Sequence, residues 1–194
     1  MKNKVCVVVG GSRGIGRAIA LRMARLGMQI AVLARNEAEL AALGQEVEAL
    51  GARYLPIQAD AADFEALGRA FAQVWAALGG FDVLVNSAGT GVMTPFEELS
   101  QADIDATVDV NLKGTIYSVR QAVPWMAKNG GGNILNVSSM SAIRGIPDPV
   151  NCNGIYTATK FAVNGFTECM QKYLLKYNIR VTALCPGSTD TSWW

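Results

Sequence analysis

The 194-residue chain contains no histidine. That absence removes the side chain most often used as a general base near neutral pH, and with it most zinc and haem sites, so no metal centre is expected. Charge is scarce: 17 basic and 16 acidic residues leave a net charge of +1. A chain so nearly neutral lacks the basic field by which nucleic acids and anionic membrane surfaces are bound, so no nucleic acid and no membrane is expected as a partner. The four cysteines, Cys6, Cys152, Cys169 and Cys185, show no CxxC spacing. They read as free thiols of a reducing cytoplasm, packing as small apolar residues. No apolar stretch approaches membrane-spanning length. The opening run meets glycines and Arg13 too soon to be a secretory signal. These absences leave a soluble, cytoplasmic protein as the expectation. The length suits one domain with a real core, assigned over residues 1–194.

What the chain does have is alternation. Short β-branched or apolar runs recur at 5–9, 29–34, 53–58, 82–86, 133–138 and 180–185. Between them lie stripes at helical spacing, Leu40, Leu43, Val47 and Leu50 in one and Phe64, Leu67, Phe71, Val74 and Leu78 in another. Ser100, three residues before Asp103, reads as the N-cap of a long helix running toward residue 128. Several of the strand runs lack polar alternation, as strands buried on both faces do. The pattern predicts an α/β fold, a doubly wound parallel sheet with helices on both faces.

The first strand ends in "VVVGGSRGIGRAIA" (7–20). In a doubly wound fold this strand–helix turn lies under the ligand. Gly10, Gly14 and Gly16 let the backbone approach a pyrophosphate, and the helix start near Gly14 offers unpaired N–H groups and a positive dipole end. The spacing Gly-x-x-x-Gly-x-Gly differs from the common GxGxxG fingerprint, since Ile19 stands where a third glycine would be. A tight connection without a ligand would also use such glycines. Charge then discriminates between cofactors. The acidic residue that grips a ribose 2′-OH is expected about 20 residues on. That place holds Ala34 followed by Arg35. Arg35 and Arg13 would bind a 2′-phosphate by charge-assisted hydrogen bonds, which predicts NADP(H) rather than NAD(H).

A second group follows. Tyr156 and Lys160 stand at i and i+4, on one face of a helix, and Ser138 and Ser139 end a strand. Alone, the Tyr–Lys pair is an ordinary helix surface pair. Together the residues suit hydride chemistry at a carbonyl, where a developing alkoxide needs a proton. A tyrosine has a reference pKa of about 10, and a neighbouring ammonium is expected to lower it. A serine hydroxyl would hydrogen-bond the reacting oxygen.

Seven pieces in order, "GGSRGIG" (10–16), "AD" (59–60), "NSAG" (86–89), "NLKG" (111–114), "NVSS" (136–139), "YTATK" (156–160) and "PGSTDT" (186–191), give the chain a resemblance to the short-chain dehydrogenase/reductase family. The resemblance covers residue 4 or so to the end. It implies a Rossmann-like fold in three layers, α/β/α, and a reductase site. Tyr156 would be the general acid/base, Lys160 would lower its pKa and hold the nicotinamide ribose, and Ser139 would orient the carbonyl. Asn111 would hold a water in a proton relay behind Lys160. Ser12, Arg13 and Ile15 would join Gly10, Gly14 and Gly16 in binding the cofactor. Arg35 would take the 2′-phosphate, and Asp60 would contact the adenine. Asn86, Ala88 and Gly89 would floor the cleft. Pro186, Gly187, Thr189 and Thr191 would lie along the nicotinamide and pyrophosphate.

On this basis the expectation is an NADP(H)-dependent enzyme interconverting a secondary alcohol and a ketone, with a 3-oxoacyl thioester as one candidate substrate. A homodimer or homotetramer would pack the long helices bearing Asn111 and Tyr156. A cofactor-binding sensor or scaffold with little turnover is the rival, and an epimerase or dehydratase on the same fold is a third reading. Departures from the family pattern fall at Val9 before the glycines, at Ser87 within "NSAG", and at a rim stretch around 147–154. The family also continues past a "TDTSWW" end with a helix and an edge strand. The chain is therefore expected to be incomplete relative to it, with the sixth strand as an exposed hydrophobic edge that Trp193 and Trp194 would help to cover.

Overall fold

The computed structural model describes residues 1–145 and 153–191. Its strands are β1 (Val5–Val9), β2 (Gln29–Ala34), β3 (Tyr54–Gln58), β4 (Val83–Asn86), β5 (Gly132–Val137) and β6 (Ile179–Leu184), each end within one residue of the sequence expectation. They pair in parallel in the order β3-β2-β1-β4-β5-β6. The order reverses between β1 and β4, which opens a crevice at the carboxyl ends of the strands. Every residue of central β1 is buried, so its run of valines needs no polar alternation. Pro56 sits exposed in β3, where an edge strand tolerates the missing N–H donor.

The helices are α1 (Gly14–Arg25), α2 (Glu37–Ala49), α3 (Phe64–Leu78), α4 (Gln101–Val108), α5 (Gly114–Lys128) and α6 (Gly154–Tyr173). Their apolar stripes face the sheet: Leu40, Leu43 and Val47 are buried on α2, and Leu67, Phe71 and Val74 on α3. Leu50 falls just past α2 and is exposed. Ser100 and Asp103 form a reciprocal capping box at the start of α4. The expected single helix from there to residue 128 is interrupted by a π-helical turn, Asp109–Lys113, with Asn111 at its centre. Such turns recur at functional sites, because the extra residue re-aims a side chain.

Two cores flank the sheet. One gathers Phe71, Phe81, Leu84, Met126 and Ile134 on the α3–α5 side, and the other gathers Ala20, Leu21, Leu43 and Val47 under α1 and α2. This is the three-layer α/β/α arrangement. β6 is the last strand of the sheet, with Ile179 and Val181 buried on the first core and Arg180, Thr182 and Leu184 exposed on the opposite face. β6 thus stands at the edge of the described sheet, as the sequence suggested, and the exposed face of the strand mixes Arg180 and Thr182 with the apolar Leu184. Among the described residues no helix is long and apolar enough to cross a membrane, and no cluster of three or more metal-ligating side chains occurs. Cys152, most of the rim stretch around 147–154, and Trp193 and Trp194 lie outside the described residues.

Candidate active site

β1 runs into Gly10, whose φ of +74° favours glycine. Its N–H donates to the Leu33 carbonyl at 2.8 Å. A Cβ there would lie 2.4 Å from Ala88 Cα, and one on Gly16 would lie 2.3 Å from the Gly10 carbonyl oxygen. The turn is therefore pressed against the loop after β4, leaving bare backbone at the crevice. Arg13 is the N-cap of α1; its side chain makes no capping hydrogen bond, and the first turn carries no acid. The positive end of α1, with Gly14, Ile15 and Gly16 in its first turn, suits an anion. Thr191, on the segment after β6, comes within 3.7 Å of the position a Gly14 Cβ would take. This cradle fits a dinucleotide pyrophosphate.

At the neighbouring corner Arg13 is exposed. Arg35 is 72% exposed at its side chain, with Nη1 3.8 Å from Asp60 Oδ2, a surface pair of little strength. Asp60 Oδ1 accepts from the Ala62 N–H at 2.9 Å. Asp60 thus touches the arginine assigned to the phosphate, a contact its adenine assignment did not foresee. Ser12 is buried and donates through Oγ to Glu39 Oε2 at 2.6 Å. Glu39 did not emerge from the sequence, where nothing marks a residue of α2 as a neighbour of the glycine turn.

The reaction corner is built by β5 and α6. Ser139 follows β5 and accepts from the Ser141 N–H through Oγ at 3.1 Å, starting a short 3₁₀ turn, Met140–Ala142. It also shares a side-chain hydrogen bond with Tyr156. Ser138 Oγ donates to the Lys160 carbonyl at 3.2 Å. Lys160 is 5% exposed. Its Nζ donates to the Val137 carbonyl at 3.0 Å and lies 5.5 Å from the centroid of the Tyr156 ring. Burial lowers the Lys160 pKa from 10.5 to about 8, with Cys185 opposing the fall. Tyr156 is pushed the other way from the expectation. Burial raises its pKa, and the hydrogen bond with Ser139 offsets only part of that rise. Lys160 is not among the causes of this shift: desolvation of the phenol outweighs its hydrogen bond with Ser139.

Asn111 is fully buried. Its side chain is spent on Thr90 and Thr159, and its carbonyl accepts from Thr115 Oγ1 at 2.8 Å. Asn86 Nδ2 donates to Asn136 Oδ1 at 2.8 Å, and Asn136 Nδ2 donates to Thr167 Oγ1 at 2.9 Å, which pins α6 to the sheet. Asn86 Oδ1 is buried without a hydrogen-bond partner among the described residues. Ser87, at the departure from the family pattern, meets Val9 through its backbone N–H at 2.8 Å. Ala88 and Gly89 continue the same loop, half-buried. The Pro186 carbonyl accepts from the Met140 N–H at 2.9 Å, and Thr189 Oγ1 donates to the Gly187 carbonyl at 3.1 Å. A groove of about 660 Å³ runs along α1 past Arg13, Ile15, Ile19 and Leu184 to Thr191. Among the described residues, Tyr156 does not line it.

The sequence pattern of the short chain dehydrogenase family matches residues 4–194. An uncharacterized oxidoreductase of Staphylococcus epidermidis is 32% identical over 191 residues, spanning 98% of this chain and 80% of the relative. A solved dehydrogenase/reductase from Sinorhizobium meliloti superposes with a TM-score of 0.91 at 37% identity, over all of this chain (100%) and 75% of that one. A short-chain type dehydrogenase/reductase from Mycobacterium marinum gives 0.94 at 29% identity, over 99% of this chain and 75% of that one. The chain belongs to the short-chain dehydrogenase/reductase family, oxidoreductases that use nicotinamide cofactors.

Proposed function

We propose that the chain is a cytoplasmic NADP(H)-dependent oxidoreductase interconverting a secondary alcohol and a ketone, with residues 1–194 as one cofactor-binding domain. The observation that carries this reading is the Ser139–Tyr156–Lys160 cluster, with Lys160 buried and the two hydroxyl side chains half-buried, at the same end of the sheet as the glycine turn. Free thiols at Cys6, Cys169 and Cys185 suit a reducing compartment.

Gly10, Gly14, Ile15 and Gly16, with Thr189 and Thr191, would hold the pyrophosphate. Ser12, Arg13 and Arg35 would hold the 2′-phosphate, with Asp60 at the adenine and Asn86, Ala88 and Gly89 beneath. Tyr156 and Lys160 would hold the nicotinamide ribose, with Pro186 and Gly187 beside the ring. When bound, the nicotinamide supplies or accepts the hydride. The chain's own residues handle the proton. The Ser139 hydroxyl holds the substrate oxygen, and the Tyr156 phenol gives that oxygen its proton as negative charge develops. Burial keeps the phenol protonated at neutral pH, the state a donor requires. Lys160, with a pKa of about 8, is still mostly ammonium at neutral pH and balances the phenolate left behind. We place the substrate among small carbonyl compounds and alcohols. We expect a homodimer or homotetramer that packs the helices bearing Asn111 and Tyr156.

The test is a fluorescence titration with NADPH and with NADH, followed by NADPH oxidation against a panel of ketones including a 3-oxoacyl thioester. The expected result is a clear NADPH preference and turnover that disappears in Tyr156→Phe while cofactor binding persists. Cofactor binding with no turnover across the panel would favour a sensor or scaffold instead.

A further inference from the structure

Ser12 and Glu39 meet across the corner where the glycine turn faces α2. Ser12 Oγ donates to Glu39 Oε2 at 2.6 Å. The backbone of Glu39 is fixed by its own N–H, which donates to Asn36 Oδ1 at 3.1 Å. Two cations flank this corner in sequence. Arg13 follows Ser12 and has no ion pair among the described residues, and Arg35 has only the 3.8 Å contact with Asp60. Glu39 nevertheless forms no ion pair among the described residues with either arginine, and its carboxylate is held by a neutral hydroxyl. One corner therefore presents both an acceptor, which suits a ribose 2′-hydroxyl, and two cations, which suit a phosphate.

These two offers conflict. A serine hydroxyl has a single proton to donate. If Ser12 is to bind a 2′-phosphate oxygen, its bond to Glu39 must break. The carboxylate then stands no more than two hydrogen-bond lengths, about 5.5 Å, from that oxygen. An NADH ribose raises no such conflict, because its 2′-OH carries no charge and can itself donate to the carboxylate. From this geometry we infer that Glu39 is a specificity-determining residue acting against Arg13 and Arg35, one that holds down the preference for NADP(H). The inference rests on the NADP(H) reading above, in that it places the 2′-phosphate at Ser12.

The experiment is a fluorescence titration of wild type and Glu39→Gln with NADPH and NADH. Glutamine keeps an acceptor for Ser12 and removes the charge. The expected result is NADPH binding about tenfold tighter, with NADH affinity changed by less than about twofold. The unchanged NADH affinity also reports that the variant is folded. If both affinities are unaltered, or both shift equally, the inference is overturned. If NADH binding alone weakens, Glu39 is a ribose acceptor only, and the inference is likewise overturned. Arg35→Ala, titrated with both cofactors, distinguishes the two readings: a selective loss of NADPH affinity there with no effect of Glu39→Gln overturns this inference alone, whereas equal losses for both cofactors overturn the NADP(H) reading on which it rests.

Discussion

Asn111 and Thr90 face one another as two paired peptide groups would. The Thr90 N–H donates to Asn111 Oδ1 at 2.7 Å, and Asn111 Nδ2 donates to the Thr90 carbonyl at 2.8 Å. The other Nδ2 proton goes to Thr159 Oγ1 at 3.1 Å, and that hydroxyl donates to the Tyr156 carbonyl at 2.7 Å. One side-chain amide thus fastens the loop after β4 to the helix turn that carries Tyr156. The π-helical turn supplies the position from which this amide reaches both.

Replacing Asn111 with leucine keeps the branching and the number of side-chain heavy atoms but strands these groups. The Thr90 N–H and carbonyl lose their partners in a part-buried place, at a cost of about 1 to 3 kcal/mol. Denaturant unfolding should show that loss. Surviving protein should bind cofactor while its kcat falls, because the turn bearing Tyr156 is released. Unfolding within about 0.5 kcal/mol of wild type would show that the pairing does not hold the loop.

Lys160 is destabilising where it sits. Its folded pKa is about 8 against an ordinary 10.5. Below pH 8 both folded and unfolded chains hold the proton, and the full cost of burying the ammonium, about 3 kcal/mol, is present. Between 8 and 10.5 the unfolded chain binds more protons, so this contribution makes stability rise with pH. Lys160→Met should therefore abolish turnover yet raise stability at pH 7 by about 1 to 2 kcal/mol, after allowing for the orphaned Val137 carbonyl. The gain should shrink by pH 10. Denaturant curves at the two pH values check both the sign and the trend, and a variant less stable at pH 7 would contradict the argument.

The fold was largely legible in the sequence because its signals are local. β-branched runs mark the strands, stripes mark α2 and α3, and Ser100 with Asp103 marks a helix start. Pairings across long separations left no such trace. Nothing in "DVNLK" announces a π-helical turn, and nothing near Glu39 announces Ser12. The direction of the Tyr156 shift was misread for a related reason. Spacing put a lysine beside the phenol, whereas burial, which depends on the whole tertiary structure, decides the balance.

The arginines make a sharper prediction than the fold does. Arg35 is mostly exposed and its pair with Asp60 is long, so Arg35→Ala should leave stability within about 0.5 kcal/mol of wild type. If Arg35 binds the 2′-phosphate, NADPH affinity should fall on the order of tenfold with NADH unchanged, and Arg13→Ala should behave in the same way. Calorimetric titration with both cofactors checks this. Equal losses for the two would locate the arginines away from the 2′ position.

Gly10 and Gly51 separate two costs that usually arrive together. Both are left-handed, at φ +74° and +76°. A Cβ on Gly51 meets nothing within 4 Å, whereas one on Gly10 meets the Ala88 backbone at 2.4 Å. Gly51→Ala should cost only the backbone strain, about 1 kcal/mol. Gly10→Ala must also push the loop after β4 away, and Thr90 on that loop is what Asn111 grips. It should lose about 3 kcal/mol or more and, in whatever remains folded, bind neither NADPH nor NADH. Denaturant unfolding of the two variants side by side isolates the contact. Equal destabilisation would mean that Ala88 yields freely and that the glycine turn is not pressed on its neighbour.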